Sequence, residues 1–228
     1  MEISLEKVSF SYKENNILDD LTCVFRSGKI NYLVGYNGAG KSTLFDVISG
    51  AVKKQSGIIS GVPDAKDILY QVQNPAVFGA LTGKDVQKFI FGVSTGHKDV
   101  DMNSLPSHFK NLYTKLQNRK VGDMSVGERR WLITFLESYL DKKLFLLDEP
   151  TAGVDPVSRK QINRILTNLA QGSDKLVIVA THDLNSINDG RIYLLNNHEI
   201  TMFNSKDDFI AQAGSNNIEN AFEILVGE

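Results

Sequence analysis

The sequence predicts an α/β fold with a mostly parallel sheet, a small antiparallel β subdomain and an inserted helical subdomain. Three observations carry that prediction. Short apolar runs at Ile30 to Val34, Leu144 to Leu147 and Lys175 to Ala180 have the composition of parallel strands covered on both faces. A glycine-rich turn leads from the first run directly into a helical pattern, which makes a strand-loop-helix unit. Between Leu81 and Leu140 the apolar spacing is helical, and strand patterns resume beyond it.

Taken in order, Ile3, Leu5, Val8, Phe10 and Tyr12 alternate as in a strand or hairpin with one buried face, and a turn follows. Ile30 to Val34 runs into Gly35-Tyr-Asn-Gly-Ala-Gly40, and Lys41 to Ile48 has helical spacing stopped by Gly50. Ile58-Ile59 and Ile68 to Val72 read as short strands divided by the Gly61 to Asp64 turn. Helices are expected around Asp85 to Phe91, His108 to Leu116 and Val126 to Leu140. After the Leu144 strand come a helix from about Pro156 to Ala170, the Lys175 strand, and shorter strands at Ile192 to Leu195 and Glu199 to Phe203. No repeat or long linker interrupts the chain, so 1–228 reads as one domain. Its core is expected in 1–80 and 141–228, and its helical subdomain in 81–140.

Composition narrows the function. With 42% apolar and 23% charged residues among 228, the chain is of ordinary globular type and long enough for a large core. A formal net charge of −2 supplies no general attraction to nucleic acid or to an anionic membrane surface. Cys23 is the only cysteine, which excludes a disulfide framework or a thiolate metal site within one chain. The first residues lack a basic segment followed by an apolar one, and no apolar run approaches the length of a membrane span. The expectation is a soluble protein without a secretion signal.

The chemistry begins at Gly35 to Ser42, which satisfies the phosphate-loop pattern G-x-x-x-x-G-K-[ST]. Its glycines let backbone N–H groups converge on phosphate oxygens, Lys41 supplies a positive charge, and the Ser42 hydroxyl is placed for Mg²⁺. On its own such an octapeptide is a glycine turn before a helix; the strand-loop-helix context favours the phosphate site. The second element is the Leu144 strand ending in Asp148-Glu149. At a strand end beside a phosphate loop, Asp148 can hold Mg²⁺ through water and Glu149 can polarise an attacking water. Without the loop the same pair would be a solvated turn. Ser125 and Glu128 form a capping box that opens a helix, and Asp155 caps a helix beginning at Pro156.

These residues, over nearly the whole chain, resemble the nucleotide-binding subunit of an ATP-binding cassette (ABC) transporter, with its P-loop NTPase core. The resemblance implies ATP and Mg²⁺ as ligands. It places ATP on Tyr12, Gly35, Asn37, Gly38, Ala39, Gly40, Lys41, Ser42, Thr43 and Gln73, with Ser42, Gln73 and Asp148 toward the metal. Tyr12 matches the aromatic that stacks on adenine, although such a residue is more often strand core. Gln73 is preferred to Gln71 as the glutamine that reaches Mg²⁺ and water, because Leu81-Thr82 then falls at the family's usual offset. His182 matches the switch histidine at the γ-phosphate and joins Glu149 as catalytic. His97, His108 and His198 lack such context and are expected at the surface.

Met124-Ser-Val-Gly-Glu128 occupies the place of the family signature Leu-Ser-Gly-Gly-Gln. The resemblance directs Ser125, Val126, Gly127, Glu128 and the D-loop residue Asp155 toward ATP bound to a partner subunit. Val126 replaces a glycine and Glu128 a glutamine, a departure that weakens the contact if the position needs glycine's backbone freedom. Trp131 stands where arginine is frequent. The signature and the closing segment Asn217 to Val226 are similar to those of ABC-2 type exporters. The short stretch from Lys41 to Gln73 implies a reduced β subdomain.

The implied protein is an ATPase that closes head to tail with a second ABC ATPase subunit, as homodimer or heterodimer. It would power a separate polytopic transmembrane permease from the cytoplasmic face of the membrane, more in keeping with export, and would bind no nucleic acid. Phe78, Leu81 and Phe89 are candidate contacts to that permease, with core packing expected for at least one of them. The rival is a soluble ABC ATPase such as an iron-sulfur assembly ATPase. Only 84 residues separate Lys41 from Ser125, too few for the coiled coil of repair ATPases. A small kinase would explain the phosphate loop but not the ordered Gln73, Ser125, Asp155 and His182.

Overall fold

The computed structural model describes residues 1–73, 75, 77–171 and 174–227. The chain opens with two long strands, β1 (Glu2–Tyr12) and β2 (Asn15–Arg26), paired antiparallel. Strand β3 (Ile30–Val34) leads through the glycine-rich loop into helix α1 (Lys41–Ser49). Strand β4 (Ser56–Ser60) returns to the other edge of β1, giving an antiparallel three-stranded sheet β2-β1-β4. Next come β5 (Ile68–Gln71) and helices α2 (Gly83–Val93), α3 (Ser107–Gln117) and α4 (Val126–Glu137). The rest alternates: β6 (Leu144–Asp148), α5 (Pro156–Ala170), β7 (Leu176–Thr181), β8 (Gly190–Asn196) and β9 (Glu199–Phe203), then α6 (Lys206–Gln212) and α7 (Ile218–Val226).

The second sheet has the order β5-β6-β7-β3-β8-β9, parallel except for β9. Every residue of β3, β6 and β7 is buried, as the uniformly apolar runs require. Successive residues face opposite layers. Leu33, Leu144, Leu146, Ile178 and Tyr193 pack with α1 and the antiparallel sheet. Tyr32, Val34, Phe145, Leu147 and Val179 face the opposite layer, where Trp131, Phe135, Ile162 and Phe209 lie on helices. Trp131 stacks on Phe135 at 4.8 Å, so the residue that stands in place of a frequent arginine is core.

The structure corrects two expectations and adds two helices. The region after Tyr12 is not only a turn: it carries the twelve-residue β2. Its alternation is hidden because register shifts break the pairing with β1, with Lys7 at φ 50° and Asp20 at φ 47°. The helix expected to Leu140 ends at Glu137, since Tyr139 and Leu140 donate to Leu136 and Glu137 in tight turns while the apolar spacing continues. Helices α6 and α7 were not read as helices; each is short and started by a polar cap, Ser205 and Asn217.

Candidate functional site

The parallel strands bring their C-terminal ends together, and the site is assembled there. Leaving β3, the chain turns at Gly35, where a Cβ would lie 2.5 Å from the Leu195 carbonyl oxygen. Gly38 (φ 87°) and Gly40 (φ 103°) adopt left-handed backbone, and a Cβ on Gly40 would meet Ile17 at 2.9 Å. Lys41 opens α1 and is only 7% exposed. Its Nζ donates to the carbonyls of Gly35 (2.7 Å) and Tyr36 (2.9 Å) inside the loop. Burial lowers its pKa, and the Glu149 and Asp148 carboxylates oppose that shift.

Ser42 Oγ donates to Asp148 Oδ2 at 2.6 Å, joining the helix start to the end of β6. Burial raises the Asp148 pKa, partly offset by that hydrogen bond. Glu149 follows at φ 51° and is only 4% exposed. Glu149 Oε1 accepts from the His182 backbone N–H (2.9 Å) and meets His182 Nδ1 at 2.6 Å, while Oε2 faces Thr181 Oγ1 at 3.4 Å. The His182 side chain is half exposed on its other side.

A cleft of about 450 Å³ lies over these groups, lined among others by Asn37, Lys41, Ser42, Thr43, Gln73 and Glu149. Gln71 is buried and its Nε2 faces Thr134 at 3.4 Å, whereas Gln73 is exposed and lines the cleft. Gly38 and Gly40 line the cleft, Gly35 lies beneath the loop, and Ala39 packs against the inner core. Tyr12 does not line it: the ring stands half exposed at the end of β1, edge-on to Phe10 at 4.8 Å. His97, His108 and His198 are exposed, His97 stacking on Phe91 at 4.3 Å.

The signature lies apart, at the start of α4. Ser125 Oγ accepts from the Glu128 N–H (3.1 Å), and Glu128 Oε2 accepts from the Ser125 N–H (2.9 Å), the capping box. Burial acts to raise the Glu128 pKa, but the Ser125 N–H, Lys115 and Arg119 outweigh it and hold the carboxyl below its usual range. Val126 is exposed and lacks a positive φ, so its backbone makes no demand for glycine. Gly127 is held against the D-loop: a Cβ there would be 2.7 Å from Asp155 Oδ2 and 2.9 Å from Ser158 Oγ. Asp155 Oδ1 accepts from the N–H groups of Val157 and Ser158, both at 3.0 Å.

Two residues at the site were not singled out by sequence. Ile17 lines the cleft beside Gly40. Arg130, on the buried face of α4, donates from Nη1 to the Glu149 carbonyl (3.0 Å) and from Nη2 to the Gln73 carbonyl (2.7 Å). The available signal was an arginine directly before the apolar run Trp131-Leu-Ile133.

A phosphate loop entering a helix beside an Asp-Glu strand end defines a P-loop nucleoside triphosphatase. The ABC transporter family profile matches residues 18–152, and the chain belongs to that family, whose cassettes bind ATP and are ATPases. It is 30% identical to protein McbF of Escherichia coli over 91% of this chain and 88% of that one. It is 27% identical to the zinc uptake system ATP-binding protein ZurA of Listeria monocytogenes, over 82% of this chain and 78% of that one. A solved ATP-binding subunit of an ABC transporter superposes with TM-score 0.77 over 99% of this chain and 100% of its own at 21% identity, a likeness of fold.

Proposed function

We propose that this cassette binds ATP with Mg²⁺ in the cleft, closes on a second ABC ATPase subunit and uses hydrolysis to power a separate polytopic permease. The observation that carries the reading is the convergence of Lys41 and Ser42 from the start of α1 with Asp148 and Glu149 from the end of β6 on one cleft. The oxygen donors fit Mg²⁺: a hydroxyl and a carboxylate 2.6 Å apart, with the Gln73 amide near, leave room for phosphate and water in a hard-cation shell. Bound there, Mg²⁺ would neutralise charge on the phosphates.

The residues divide the remaining work. Backbone N–H groups from Gly38 to Thr43 receive phosphate oxygens, and Lys41 exchanges its loop carbonyls for them. Glu149 orients and deprotonates the attacking water, and His182, now paired to it, turns toward the γ-phosphate. Tyr12 offers its exposed ring to adenine. Ser125, Val126, Gly127, Glu128 and Asp155 face the ATP of the partner subunit, so each site is completed by the other chain. Residues 81–140 act as a helical subdomain against a core of 1–80 and 141–228.

Among the described residues no helix is long and apolar enough to cross a membrane; on this reading the pathway is that of a separate permease. Exposed Phe78 and Phe89 are offered to it, while Leu81 packs against the core. The cassette then sits at the cytoplasmic face of the membrane. Export is our reading of direction, supported by the likeness of the signature and of α7 to ABC-2 type cassettes; ZurA, a relative from an uptake system, makes direction a matter for vesicle transport assays. The test of the site is Glu149→Gln. It should retain MgATP, hydrolyse it at least roughly a hundredfold more slowly, and run as a dimer with MgATP on a sizing column. Unchanged turnover and a monomer would reject both the glutamate's role and the sandwich.

A further inference from the structure

The Glu149 peptide is held in an unfavourable conformation by several partners. A glutamate at φ 51° lies in the left-handed region, which persists only where the surroundings over-determine it. Its N–H donates to Ala180 (2.9 Å), and its carbonyl accepts from the Ala152 N–H (3.1 Å) and from Arg130 Nη1 (3.0 Å). The other prong of the same guanidinium holds the Gln73 carbonyl at 2.7 Å. Arg130 is 9% exposed, so these bonds are little shared with solvent. Burial lowers its pKa, with the Glu149 carboxylate opposing, and an arginine remains cationic throughout.

From this geometry we infer that Arg130 is a positioning residue for hydrolysis, fixing the Glu149 peptide and the Gln73 loop in one register. The inference rests on the role proposed for Glu149. A planar, rigid fork suits the task, because moving either carbonyl rotates the plane that holds the other. Phe78, five residues beyond Gln73, is exposed, and Ser125 caps α4. One side chain on the helix capped by Ser125 thus joins the Gln73 backbone to the backbone that aims the general base.

The test compares steady-state hydrolysis of MgATP by the full chain, Arg130→Met and Arg130→Lys, each with and without Glu149→Gln. Arg130→Met removes both donors and should lower kcat roughly tenfold or more, with KM for MgATP within about threefold. Arg130→Lys can serve one carbonyl at a time and should recover part of the loss. In the Glu149→Gln background Arg130→Met should change the residual rate less than about twofold, because its effect passes through Glu149. An equal loss in both backgrounds, or a rise in KM alone, overturns the inference. If Arg130→Met does not fold, Arg130→Lys in the two backgrounds decides by the same criterion. Should Glu149→Gln slow turnover while neither Arg130 variant does, this inference alone fails. Should Glu149→Gln leave turnover unchanged, the site reading fails and this inference with it.

Discussion

Lys41 is an ammonium held away from water by two carbonyls of its own loop, at 2.7 and 2.9 Å, and by two carboxylates nearby. On the proposed reading a phosphate replaces those carbonyls. Lys41→Ala should weaken MgATP binding by roughly ten- to hundredfold, read by calorimetry, with the circular dichroism spectrum preserved. Unchanged affinity would remove Lys41 from its assigned role. Glu137 presents the opposite case, a carboxyl whose Oε2 is sealed in the last turn of α4 with no hydrogen-bond partner. Burial pushes its pKa from 4.5 up to about 8. The folded chain holds this proton across a range where the unfolded chain has released it. Stability from this group is therefore full below pH 4.5 and is lost as pH rises toward about 8. Melting temperatures measured across that range should fall with pH, and Glu137→Gln should flatten the slope; an unaltered slope would contradict the assignment.

At the scale of elements, α4 and α5 begin beside one another, and their caps share a contact. The capping box at Ser125 fixes the start of α4, while Asp155 caps α5 and presses on Gly127. Gly127→Ala forces a methyl into a side chain already committed to two N–H groups and should cost about 1–3 kcal/mol, visible in urea melts. Turnover should fall with it. A Gly127→Ala protein of unaltered stability would mean that Asp155 moves freely. Val126 sets no such constraint, because it is exposed at the first position of the helix with ordinary backbone. Val126→Gly should give equal or faster ATP turnover at a stability loss of about 0.5–1 kcal/mol. A marked loss of turnover would show that the valine side chain itself serves the signature.

The whole molecule is a pair of layers clamped on one buried sheet, with the cleft at the strand ends and Phe78 exposed. Phe78 is 81% exposed, so charging it costs the fold little. If a permease covers this face, Phe78→Asp should release the cassette from a detergent-extracted complex while MgATP affinity stays within about twofold. The chain expressed with its genomic neighbours should sediment with membranes. Recovery only as a soluble species, with no polytopic partner in crosslinking, would reject the transporter reading for this chain and favour a soluble ABC ATPase.

The sequence by itself determined the parts that short windows encode: the phosphate loop, the buried runs of β3, β6 and β7, the Ser125 capping box and the Asp155 cap. Each depends on glycine φ freedom, side-chain periodicity or a side chain reaching its own backbone, all within a few residues. Family spacing pointed to Gln73 over Gln71; the structure leaves Gln73 exposed at the cleft and buries Gln71. What the tertiary structure decided involves partners distant along the chain. Register shifts against β1 concealed the twelve residues of β2, because a bulge resets the two-residue period that the eye follows. Ser42 meets Asp148 from 106 positions away and Arg130 reaches Gln73 across 57, and no local pattern distinguishes those partners from similar residues. Tyr12 shows the converse: its place in the strand was legible, but whether its ring lines the cleft depended on where the sheet ends, and it does not. Local chemistry specifies which groups are present, and long-range pairing of strands, whose cost is loop closure rather than side-chain preference, decides which of them meet.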